Sequence, residues 1–133
     1  MNGNDFAIDL IEAAKEASRK AYAPYSHIGV GAALATASGK VFKGSNIENS
    51  SYSLTICAER VALFKAIYDG ERVFKALAVY SEEILPVPCG ACLQALSEFF
   101  GGDELLYIAS GDRLLMKKFK ELLPESFKIK TNE

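Results

Sequence analysis

The chain has 133 residues, 50% of them hydrophobic and 24% charged, an ordinary composition for one globular domain with one core, which excludes a disordered chain. Net charge is −2 and the isoelectric point is about 5.5, so the basic excess of a nucleic-acid binder is absent and a polyanionic partner is disfavoured. No apolar run approaches the ~18 residues of a membrane span, and Met1 to Asp9 is polar and acidic rather than basic then apolar; no membrane association is expected, and the protein is expected in the cytoplasm.

No repeat, low-complexity tract or linker interrupts the sequence, so a single domain over 1–133 is expected. Phe6, Leu10, Ala14, Ala17 and Ala21 recur at helical spacing, which predicts a first helix from about Asp5 to Tyr22, stopped by Pro24. Val30 to Ala35 and Val41 to Lys43 flank the turn pair Ser38-Gly39 and read as a hairpin. Ser45 to Thr55 reads mostly as loop. From Cys57 to Tyr68 the residues are apolar almost all round, as in a helix buried on most sides and ended by Asp69-Gly70. Phe74 to Tyr80 predicts a central strand. A loop with Pro86 and Pro88 leads to a helix over Cys89 to Phe100, then a strand over Leu105 to Ala109. Arg113 to Lys117 reads either as a short last strand or as the start of a helix reaching Leu123, closed by Pro124. Strands alternating with helices imply a layered α/β domain with helices on the sheet faces.

The cysteines carry the chemistry. There are three, Cys57, Cys89 and Cys92, an odd number that argues against a disulfide framework. Cys57-Ala58-Glu59 opens one predicted helix and Pro88-Cys89-Gly90-Ala91-Cys92 opens the next. A helix N-terminus presents unpaired N–H groups and partial positive charge, which stabilise the thiolate, the form that binds metal. Three protein ligands leave one tetrahedral position for water, the pattern of catalytic rather than structural zinc. His27 is the only histidine, so no fourth nitrogen ligand is evident. Glu59 is placed to reach a metal-activated water without being a ligand, as general base and then acid. Arg60 is the natural cation to offset the charge of three thiolates.

This arrangement matches the zinc-deaminase pattern with a non-ligand glutamate, and the match extends beyond the metal. Tyr25-Ser26, Val30-Gly31-Ala32-Ala33-Leu34, Asn46-Ile47-Glu48-Asn49, Tyr52, Cys57-Ala58-Glu59-Arg60, Pro88-Cys89-Gly90-Ala91-Cys92 and Leu122-Leu123-Pro124 stand in one order. From about Ala21 to Phe127 the sequence closely resembles the short, homotetrameric cytidine deaminases. The resemblance implies a three-layer α/β/α sandwich on a mixed five-stranded sheet, which favours Arg113 to Lys117 as the last strand. It implies one Zn2+ per subunit, held by Cys57, Cys89 and Cys92. It also implies deamination of cytidine and 2′-deoxycytidine in pyrimidine salvage, with Glu59 catalytic. Asn46 and Glu48 match residues that hydrogen-bond the ribose 3′-hydroxyl, and Ala58 matches a backbone contact to the base. Ser50 and Tyr52 match positions reaching a neighbouring subunit's nucleoside. Phe127 matches a C-terminal aromatic near another subunit's substrate, and Arg60 an arginine on the ligand sulfurs. The implied partners are a nucleoside and other copies of the chain in a homotetramer with shared sites. Three positions depart from the family pattern. Ile28-Gly29 stands where Phe-Pro is common and the Phe lies against the base, Leu93 where Arg is usual, and Ser45 where Cys is common.

Taken singly, none of these residues is diagnostic. A Cys-x-x-Cys pair is more often structural or redox-active, a glutamate in a first helical turn is usually a dipole partner, and Asn46 and Glu48 alone are loop polar residues. Their joint spacing decides. The competing enzyme reading is a deaminase for a cytosine-containing antibiotic such as blasticidin S, against which Asn46-Ile47-Glu48-Asn49 favours ribose. A non-catalytic zinc module would lack Glu59 or carry a fourth ligand. A polynucleotide-editing role is opposed by the acidic isoelectric point.

Overall fold

The computed structural model describes residues 3–129. Residues 1–2 and 130–133, the two ends of the expected domain, lie outside the described residues. The chain runs α1 (Gly3–Ser18), β1 (Val30–Thr36), β2 (Val41–Ser45), a single 3-10 turn at Tyr52–Leu54, α2 (Ala58–Tyr68), β3 (Phe74–Ser81), α3 (Gly90–Ser97), β4 (Leu105–Ser110), β5 (Arg113–Lys118) and a short α4 (Phe119–Leu122). The five strands form one sheet in the order β2-β1-β3-β4-β5. β3 and β4 are parallel, joined by the crossover through α3, and the other three pairings are antiparallel.

The layering follows from the period of two along each strand, which sends alternate side chains to opposite faces. Ala33, Ala35, Ala76, Ala78 and Tyr80 face α1, packing with Leu10 and Ala14. Ala32, Leu34, Leu77, Val79 and Leu106 face α2 and α3, packing with Ala62, Leu63, Ala66, Leu93 and Leu96. Helices therefore cover both faces of a mixed sheet, the expected three-layer α/β/α sandwich. Small residues set the spacing: a Cβ on Gly31 would stand 1.9 Å from the Ala14 carbonyl oxygen, and one on Gly44 2.5 Å from the Ala62 nitrogen. Only glycine lets α1 lie this close to β1 and α2 to β2. Among the described residues, no helix is long and apolar enough to cross a membrane.

Element boundaries shift where backbone groups find other partners. α1 ends at Ser18, before the predicted Tyr22. The Tyr22 amide instead donates to the Asn46 carbonyl, and the Glu48 amide donates to the Tyr22 carbonyl. That exchange pulls the chain off the helix axis before Pro24 acts. Arg113 to Lys117 resolves as a strand because β4 offers a full antiparallel ladder, from Leu105↔Lys118 to Ser110↔Arg113. The helical alternative survives only as α4, the one turn that follows.

Candidate active site

Two helix starts converge at the end of the sheet. Cys57 is the N-cap of α2 and Cys89 the N-cap of α3, one step earlier than the sequence suggests, and neither helix carries a side-chain cap. The first N–H groups of both helices therefore leave their partial positive charge for the thiols. Cys92 lies in the first turn of α3 and is fully buried. The three Sγ atoms lie within 4.8 Å of one another.

The thiols are electrically crowded. A hydrogen bond from the Cys92 thiol, with Arg60 and Cys89 adding, brings the Cys57 thiol down to about 5 against the burial that opposes it. Cys92 is pushed up by the same pairing with Cys57 and by burial. One thiolate thus keeps its neighbour protonated, and a divalent cation would release that restriction. The spacing suits such an ion: Cys57 and Cys89 Sγ are 3.9 Å apart, and sulfurs ~2.3 Å from one tetrahedral zinc stand ~3.8 Å apart. The donor set therefore fits zinc. Arg60 Nη2 lies 3.6 Å from Cys57 Sγ, where its charge offsets that of the thiolates. Its Nε is buried with no hydrogen-bond partner among the described residues.

Glu59 follows in the first turn of α2 and is 4% exposed. Burial, helped by the Cys57 thiolate, raises its carboxyl to about 7, despite its own backbone N–H and Arg60. A carboxyl near 7 can both accept and donate a proton at neutral pH, as acid–base catalysis requires.

Glu59 opens onto a cavity of about 200 Å³ lined by Asn46, Thr55, Cys57, Ala58, Cys89 and the loop residues Ile84, Pro86 and Val87, among others. Asn46 is buried, and its side chain is engaged: Oδ1 accepts from the Val30 amide at 2.8 Å and Nδ2 donates to the Ile28 carbonyl at 2.9 Å. Thr55 is shared with an adjoining pocket of about 370 Å³, lined also by Tyr25, Ser26, Glu48 and Tyr52. Glu48 accepts three hydrogen bonds, from the Tyr25 and Ser26 amides and the Ser26 hydroxyl. The Ser26 hydroxyl is the main reason its carboxyl is held below the ordinary range.

Of the remaining expected site residues, Tyr52 lines the larger pocket, while Ser50, Phe127 and Ile28 line neither. Tyr52 is 76% exposed and makes an edge contact with Tyr25, while Ser50 Oγ meets the Tyr25 hydroxyl at 2.5 Å. Phe127 is 71% exposed, its carbonyl bound by the Gln94 side chain. Ile28 is half-buried beside Asn46 and lines neither pocket. Sequence reasoning missed Thr55, which joins the two pockets and accepts the Asn49 amide. It also missed Ile84, Pro86 and Val87, whose apolar run after a strand was the available signal.

Residues 5–108 match the family described as the cytidine and deoxycytidylate deaminase zinc-binding region. The chain is 49% identical over 121 residues to a cytidine deaminase from Sporosarcina psychrophila, covering 89% of this chain and 88% of that one. It is 47% identical over 121 residues to one from Halalkalibacterium halodurans, covering 89% and 91%. A crystal structure of cytidine deaminase from Burkholderia pseudomallei superposes with a TM-score of 0.86 at 45% identity, covering 96% of this chain and all of that one.

Proposed function

The chain belongs to the cytidine and deoxycytidylate deaminase family, and from that premise we propose that it hydrolyses cytidine and 2′-deoxycytidine to uridine and 2′-deoxyuridine, releasing ammonia. The observation that carries this reading is a cluster of three thiols, two of which, Cys57 and Cys89, line one cavity together with the buried carboxyl of Glu59.

Cys57, Cys89 and Cys92 would hold the zinc. When bound, the ion supplies a Lewis acid that lowers the pKa of coordinated water towards neutrality. Three thiolates and a divalent ion carry one net negative charge, which Arg60 offsets. Glu59 takes one proton from the attacking water and delivers it to ring N3; it then takes the second from the oxygen now bonded to C4 and delivers it to the amino group, so that the C4–N bond breaks, a C4 carbonyl forms and ammonia leaves. Its burial, which raises its affinity for a proton, suits both directions of transfer. Ala58 is the first residue of α2, and its N–H has no intrahelical partner; that free donor supports a backbone contact to the base.

Asn46 and Glu48 are the proposed ribose contacts. An amide side chain has two donors and two acceptor positions, and a carboxylate about four acceptor positions. Holding the 25–30 segment uses two of the first and three of the second, so both retain capacity for a hydroxyl. Ile28, Ser50, Tyr52 and Phe127 are proposed to complete the site, the last three across subunit boundaries in a homotetramer. Their support is the family resemblance together with the exposure of Tyr52 and Phe127. A cytoplasmic location is part of the same proposal, since a reducing compartment keeps the thiols free for metal.

Metal content tests the assignment. Cys89→Ala is expected to purify with less than about a tenth of the zinc of the wild type, whereas Glu59→Ala keeps one zinc per chain. Stoichiometric zinc in Cys89→Ala would contradict its role as a ligand.

A further inference from the structure

We propose that Ser81 is a positioning residue that clamps the two flanks of the base cavity together; this rests on reading that cavity as the nucleoside site. Ser81 is the last residue of β3, is paired with Val30 in the ladder, and is wholly buried. Its hydroxyl donates to the Gly29 carbonyl at 2.7 Å, one residue beyond the last paired position. A hydroxyl has one hydrogen, and Gly29 O is the nearer of two acceptors, Glu83 Oε2 lying at 3.1 Å. The lone pairs remain for the Glu83 amide, 3.3 Å away. One side chain therefore extends the ladder into both loops that leave it.

The strand that follows Gly29 and the loop that follows Ser81 both reach the cavity. Val30 lines one side, and Ile84, Pro86 and Val87, reached through Glu83, line another. Gly29 has no side chain to fix its backbone, and a glycine segment loses the most freedom when ordered. Three consecutive holds replace that missing restraint. Asn46 takes the Ile28 carbonyl, Ser81 takes the Gly29 carbonyl, and Asn46 takes the Val30 amide. Two of these come from a residue proposed to touch substrate; the third comes from Ser81, which lines neither pocket. Glu59 and Cys92 stand on α2 and α3, and Cys57 and Cys89 cap those helices; none of them is hydrogen-bonded to Ser81. Loss of the clamp is therefore felt in binding, which must order both walls, and not in the chemical step.

The test compares Ser81→Ala with Ser81→Cys, which keeps the volume but donates weakly. In both, KM for cytidine is expected to rise about fivefold, the effect of one net hydrogen bond, with kcat within about twofold and zinc per chain unchanged. Amide hydrogen exchange at Gly29–Val30 and Glu83–Ile84 is expected to accelerate in both. A Cys variant that behaves as wild type while the Ala variant is impaired would reduce Ser81 to packing and overturn the proposal. So would unchanged exchange, a parallel fall in kcat, or faster exchange without a change in KM. Exchange needs no turnover. An inactive wild type would refute the deaminase reading, while the exchange arm still decides whether the clamp exists.

Discussion

At the scale of single residues, the site trades stability for chemistry. Glu59 is ordinary in the unfolded chain, with a carboxyl near 4.5, but burial raises it to about 7 in the fold. The folded protein thus holds this proton more tightly. The group favours folding below pH 4.5, and that contribution is lost as pH rises through 7. A shift of about 2.5 units corresponds to roughly 3 kcal/mol. In metal-stripped protein, Glu59→Gln is accordingly expected to raise the free energy of unfolding by about 2–3 kcal/mol at pH 8 and to leave it nearly unchanged at pH 4. Denaturant titration at both pH values checks this, and an equal effect at the two would contradict the burial argument. Residues of this kind were legible in the sequence because Cys57, Glu59, Cys89 and Cys92 sit at short spacings on two predicted helix starts. Ser81 and Thr55 were not, because their roles arise from a strand register and a loop crossing that no local pattern encodes.

At the scale of elements, the helix that carries Glu59 and Arg60 is located by a missing side chain. Gly44 on β2 lies under α2, where a Cβ would meet the Ala62 nitrogen at 2.5 Å and the Ala58 carbonyl oxygen at 2.6 Å. Backbone cannot swing aside, so Gly44→Ala must push α2 away from the sheet. It is expected to cost about 1–3 kcal/mol and to lower kcat/KM at least tenfold, since Ala58 to Arg60 move with the helix. Gly39→Ala is the control. Gly39 is in the β1–β2 turn at φ 98° with open space around it, so its cost is conformational, about 1–2 kcal/mol, and turnover is expected to be unchanged. Comparable stability loss with comparable loss of activity in the two variants would contradict the account. The sequence reveals the hairpin through Ser38-Gly39 and α2 through its apolar run. It overextends α1, because the capture of Tyr22 by the Asn46 to Glu48 loop is a tertiary event. It leaves β5 open between strand and helix, because only the neighbouring β4 decides.

At the scale of the whole molecule, Tyr52, Leu54, Tyr68 and Phe127 are each at least 67% exposed. With Tyr52 and Phe127 proposed to serve neighbouring sites, activity is expected to sediment with a tetramer, and a fully active monomer in analytical ultracentrifugation would refute the shared sites. The central claim concerns the reaction, and ultraviolet absorbance tests it most directly. Cytidine is incubated with the zinc-loaded protein and, separately, with zinc-loaded Glu59→Ala. The account predicts that the cytidine band falls with the wild type, while the variant is slower by about 10²–10⁴, the range of general acid–base catalysis. An unchanged band with the zinc-loaded wild type, or a near-normal rate in Glu59→Ala, would contradict it.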